Sequence, residues 1–87
     1  MYAAVKHFAA PSFWLHYHQF PKEVQSLADK NFALLKADTR HASLHFKKAK
    51  TVWTVRVGSH YRAMAYDQDE GLLWFWISPH SEYDQRF

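Results

Sequence analysis

The hydrophobic period changes once along this chain, and that change limits the folds open to it. Phe13, Trp14, Tyr17 and Phe20 recur at three- and four-residue spacings behind Pro11-Ser12, which marks a helix start. Pro21 interrupts the pattern and suits the first position of a second helix, where its missing N–H costs nothing. Val24, Leu27, Ala28, Phe32, Leu34 and Leu35 then form one apolar stripe, with Lys22, Glu23, Gln25, Ser26, Asp29, Lys30 and Lys36 on the opposite side. The stripe reads as core and the pair as a helical hairpin with a tight link.

Beyond residue 40 the period becomes two. Leu44–Lys47 is a short candidate edge strand. Val52–Val57 alternates, with Trp53, Val55 and Val57 on one face and Thr54 and Arg56 on the other. Gly58-Ser59 suits a two-residue hairpin turn, Tyr61–Tyr66 returns, and Asp67–Gly71 is a polar turn. Leu72–Ser78 is apolar on both faces, as a central strand should be, and Pro79 stops it. Met1–Phe8 is a candidate further edge strand. The expected fold is α+β: an N-terminal helical hairpin packed on a three- to four-stranded twisted antiparallel sheet.

With 87 residues there is room for one domain, spanning 1–87. Aromatics at 18% help so short a chain bury enough area. The absence of cysteine excludes a disulfide scaffold, thiolate metal sites and cysteine nucleophiles. No apolar run is long enough for a membrane span, and Met1–Ala10 lacks a signal-peptide core, so a soluble cytoplasmic protein is expected. P-loop, GxGxxG and GxSxG motifs are missing, which argues against nucleotide or dinucleotide cofactors and that hydrolase type. His16 and His18 do not share a helix face, and His41 and His45 fall where a loop enters a strand, so no metal set is expected.

The net charge of +3 conceals an asymmetry. Residues 40–62 hold Arg40, Lys47, Lys48, Lys50, Arg56 and Arg62 without one acid, and His41, His45 and His60 lie in the same block. Such a block fits a polyanionic partner or an ordinary solvated face. Alternation adds geometry: Arg56 should project from the sheet face away from the helices, and Arg62 should lie nearby across the hairpin. A tryptophan of the last strand, Trp74 or Trp76, should continue that surface, with Trp76 the stacking candidate. Lys47, Lys48 and His60 are further candidates for RNA or phosphate contact. Past the last strand, His80 and Tyr83 form an imidazole–phenol pair suited to general acid–base cleavage of RNA.

Several segments also line up with a known family. Phe13-Trp14-(x)2-Tyr17, Phe20-Pro21-(x)2-Val24-Gln25-(x)-Leu27-Ala28-(x)-Lys30, Phe32-(x)-Leu34-Leu35-Lys36-(x)-Asp38 and Ser43-Leu44-His45-Phe46-Lys47-Lys48 form the first half. Trp53-(x)-Val55-Arg56-Val57-Gly58, Tyr61-Arg62-Ala63 and Phe75-Trp76-Ile77-(x)2-His80-(x)-Glu82-Tyr83-Asp84 form the second. This array resembles the RelE/ParE superfamily of toxins from type II toxin–antitoxin modules, in a short subgroup ending in HxEYD. The resemblance implies a helical hairpin against a twisted sheet, and an antitoxin partner whose acidic or amphipathic segment covers the basic block.

For RelE-like members it implies metal-independent cleavage of mRNA on the ribosome; for ParE-like members, inhibition of DNA gyrase without catalytic residues. A degenerate toxin kept only for protein interaction is the third possibility. On the ribonuclease branch Arg56 and Arg62 match the phosphate-binding positions, His80 the general acid and Tyr83 the supporting tyrosine. Thr54 stands where some members carry lysine. No plain general base is left beyond His45, His60 or Tyr83.

Overall fold

The computed structural model describes residues 6–38 and 40–81. Its elements are β1 (Lys6–Ala9), α1 (Pro11–Tyr17), α2 (Lys22–Ala37), a 3-10 turn (Ala42–Leu44), β2 (Lys47–Ala49), β3 (Val52–Val57), β4 (Tyr61–Gln68) and β5 (Gly71–Pro79). The strands form one sheet in the order β1-β5-β4-β3-β2. From β2 to β5 it is the expected antiparallel meander. The fifth strand makes it mixed, because β1 pairs with β5 in parallel, from Lys6 opposite Gly71 to Ala9 opposite Trp74. Sequence alternation describes single strands and is silent on which neighbour a four-residue edge strand chooses.

Local chemistry explains most boundaries. Pro11 opens α1. Pro21 does not open α2: with φ −57° and ψ 156° it is the extended residue just before that helix. Leu44 does not begin a strand either. It is fully buried in the 3-10 turn, and His45 follows in the left-handed region (φ 47°), which delays the edge strand to Lys47. The β3–β4 hairpin closes over three residues, Gly58 to His60, because Val57 pairs with Tyr61. The β4–β5 turn is tighter than expected, with Gln68 opposite Gly71 and only Asp69-Glu70 between them.

The core lies between the helices and one sheet face. Val55, Val57, Ala63, Ala65, Leu72, Trp74 and Ile77 from the strands meet Tyr17, Ala28 and Leu35 from the helices. Burying such side chains contributes about 1.5–3 kcal/mol for each large one. Leu27 and Leu34 pack at the margin, whereas Phe32, expected in the core, is 39% exposed. The reason is that α1 and α2 diverge over the sheet. They are tied by one hydrogen bond, from the Tyr17 hydroxyl to Asp29 Oδ1 (2.8 Å), and the space between them is open.

A β-bulge positions the opposite face. Met64 pairs with Trp76 and Ala65 with Trp74, so Phe75 is the extra residue on β5. Its ring stacks on Tyr66 (4.1 Å, 12°), and its carbonyl accepts the Ser12 hydroxyl at 2.8 Å.

Candidate functional site

Unbroken alternation would put Trp74 and Trp76 on one face. The bulge separates them: Trp74 is buried in the core at 4% exposure, while Trp76 joins Met64 on the face away from the helices. Two rows of side chains cross that face. One contains Thr54, Met64 and Trp76, with Lys47 opposite Thr54 at the edge. The next contains Arg56, Arg62 and Ser78, each directly opposite the next across the ladder. Residues directly opposite in antiparallel strands have Cα atoms about 4.5–5.5 Å apart. Two arginines therefore leave the sheet from directly opposite positions, each half-buried.

Like charges directly opposite destabilise a sheet, by roughly 0.2–1 kcal/mol. Arg56 forms no ion pair with any described residue. An anion between the two guanidiniums relieves their repulsion, and the planar fork of each matches phosphate oxygens.

Beyond this row, past the Tyr61–Pro79 pair, the backbones of His60 and His80 meet. His80 follows β5 directly and is half-buried, and its backbone N–H donates to the His60 carbonyl at 2.7 Å. Residues 60 and 80 are 20 positions apart in the chain, and this bond joins them at the arginine end of the sheet. Tyr83 lies outside the described residues. On the other side of the row stands a residue considered from the sequence only as a metal ligand. His16 of α1 places its ring 4.2 Å from that of Trp76. No local signal foretells this contact, because it depends on where α1 lands against β5.

The remaining basic candidates divide. Lys47 lies in register with Thr54 on the arginine face. Lys48 is opposite Trp53, on the other face, and its ammonium binds Asp67 at 2.7 Å. The Trp53 indole N–H also donates to Asp67, at 2.7 Å. The Lys48 bond first, then that of Trp53, holds the Asp67 carboxyl below its ordinary range. Lys48 is a structural cation, and the structure does not bring it to the arginines. Thr54 is 1% exposed, and its hydroxyl has no hydrogen-bond partner among the described residues. Among the described residues no three His, Asp or Glu side chains gather as a metal site, and no helix is long and apolar enough to cross a membrane.

A mixed five-stranded sheet with two N-terminal helices on one face is the architecture of the small RelE/ParE-type toxins. Three solved structures share it. The RelB–RelE antitoxin–toxin complex from Methanococcus jannaschii aligns over 92% of this chain and 98% of its own, with TM-score 0.69 and 13% identity. The isolated E. coli RelE toxin aligns over 95% and 98%, with TM-score 0.63 and 13% identity. The YoeB dimer from Staphylococcus aureus aligns over 82% and 91%, with TM-score 0.59 and 11% identity. At such identities the likeness is one of fold. No curated protein sequence matches the chain. Residues 22–85 match the family model of the ParE-like toxin domain, and the chain belongs to that family within the RelE/ParE superfamily.

Proposed function

We propose that this toxin is the effector of a toxin–antitoxin pair and acts as a metal-independent endoribonuclease on mRNA held in the ribosome. The observation that carries the reading is the Arg56–Arg62 pair, opposed across the β3–β4 ladder, with Trp76 and the His16 ring beside the neighbouring row and the His60–His80 backbone bond at the hairpin end. Arg56 and Arg62 hold the scissile phosphate, with Lys47 at the margin of the same face. The ribose 2′-oxygen attacks phosphorus, the P–O5′ bond breaks, and a 2′,3′-cyclic phosphate and a 5′-hydroxyl result. In-line attack places the incoming and departing oxygens on opposite sides of phosphorus, so the proton acceptor and proton donor must also stand on opposite sides. His80 is the donor to the leaving 5′-oxygen. His16, whose ring lies 4.2 Å from that of Trp76, joins His45, His60 and Tyr83 as a candidate acceptor of the 2′-hydroxyl proton. Tyr83 supports the acid, and the guanidiniums stabilise the charge that builds on phosphorus. Trp76 offers a flat ring for base stacking.

An antitoxin partner follows from the toxin family and from the antitoxin–toxin complex that shares the fold. An acidic segment laid over Arg56 and Arg62 neutralises the repulsive pair and blocks the site together. The test is inducible expression without antitoxin, with mRNA ends mapped on ribosomes. Cleaved ends that disappear in His80→Ala and Arg62→Ala support the reading. Growth arrest with intact mRNA and inhibited gyrase supercoiling replaces it with the non-catalytic alternative.

A further inference from the structure

The divergence of the helices leaves a cavity of about 350 Å³ over the inner sheet face, on the side opposite the arginines. Aromatic rings make its walls. On α1, Phe13 stands perpendicular to Trp14 (88°, centroids 5.3 Å apart) and Trp14 perpendicular to Tyr17 (84°, 5.1 Å). At the mouth, Phe8, Trp14 and Phe32 remain 39–45% exposed, although burial would stabilise each ring. A small protein that gathers exposed aromatics around one opening keeps them for a guest.

The charges lining the space select the class of guest. Asp29 is its one formally charged side chain, and its carboxylate already accepts the Tyr17 hydroxyl at the α1 wall. Asn31 has its NH₂ committed to the Leu27 carbonyl. His7 adds no positive charge: its Nδ1 accepts the Trp74 indole N–H at 3.0 Å, so that nitrogen bears no proton. An anion meets the Asp29 charge and the negative ring faces. A neutral apolar guest fills the cavity but leaves the exposed Asp29 carboxylate without a countercharge. A cation whose charge is spread over methyl groups satisfies both the rings and the carboxylate without needing strong hydration. Lys36, seated over Phe32 at 4.8 Å, repels a cation from the α2 end and biases it toward α1.

We propose that this cavity binds a small quaternary ammonium compound, its trimethylammonium head held by Phe13, Trp14 and Tyr17 against Asp29. The site lies on the other face from the arginine row, so it is independent of the nuclease reading.

Choline and its neutral isostere 3,3-dimethylbutan-1-ol, in which carbon replaces the charged nitrogen, test this on the full chain by NMR titration of the tryptophan indole N–H signals. Saturable binding of choline at least fivefold tighter than the isostere is expected, with the Trp14 signal moving. Asp29→Asn retains an acceptor for the Tyr17 hydroxyl and removes only the charge. It should erase the preference for choline while leaving the isostere's affinity alone. Trp14→Leu, at an exposed position, should weaken choline at least fivefold in a chain with unchanged circular dichroism. Equal affinities for choline and isostere, undiminished choline binding by Asp29→Asn, or no saturable binding at millimolar concentrations overturns the proposal.

Discussion

Arg56 and Arg62 face each other directly across the β3–β4 ladder, a placement of like charges that suits a bound phosphate. Arg56→Gln removes the repulsion while keeping a long polar side chain. It should raise stability by about 0.2–1 kcal/mol in denaturant unfolding, while growth arrest on expression is lost. A variant that is less stable, or fully toxic, contradicts the role given to the pair.

His7 makes stability depend on pH. Burial first, then the Lys36 ammonium, push its pKa below the ordinary 6.5, because the folded state favours the neutral ring that accepts the Trp74 indole. The unfolded chain therefore binds the extra proton first as pH falls. This contribution is complete above about pH 6.5 and is lost as pH drops from there through the lower folded value. His7→Gln keeps an acceptor but cannot titrate. Its melting temperature should fall less than the wild type's between pH 7.5 and 5, as followed by circular dichroism.

Gly71 lets β1 dock. A Cβ there would run into the Lys6 backbone carbonyl, and Gly71 sits at φ 154°. Gly71→Ala should detach the β1 end of the sheet and cost about 1–3 kcal/mol, as for other strained backbone positions. Hydrogen exchange locates the effect: the Ala10 amide, bonded to the Trp74 carbonyl at 2.8 Å, should lose protection while β3 and β4 amides keep theirs.

Thr54 carries a buried hydroxyl without a partner among the described residues, and such a group costs about 1–3 kcal/mol. Thr54→Val keeps the shape and removes the oxygen. Unfolding should shift to higher denaturant by about 1 kcal/mol, with mRNA cleavage unchanged. Lower stability shows that the hydroxyl is satisfied after all; lost cleavage shows that it serves the reaction.

The two helices, the three long strands and the core face of β3 were legible because each obeys a single local period. Val55 and Val57 face the helices and Arg56 faces away, as alternation demands. Legibility failed where a long-range contact set the outcome. Phe32 has the spacing of a core residue, yet α1 diverges from α2 and leaves it at a cavity mouth. Lys48 has the composition of a phosphate ligand, yet the register of a three-residue strand turns it toward Asp67. His16 looked idle because its partner, Trp76, lies 60 residues further along the chain.

Period, turn residues and charge runs specified the helical layer, the meander and the basic face, because these depend on neighbours a few residues apart. The docking of α1 against β5, the parallel pairing of β1 and the bulge at Phe75 depend on contacts between distant segments. The bulge is the sharpest case. One inserted residue reverses which side chains point outward, sending Trp74 into the core and Trp76 beside the arginine row. Two tryptophans with identical local pattern thus acquire different roles, for a reason that exists only once β4 and β5 have paired.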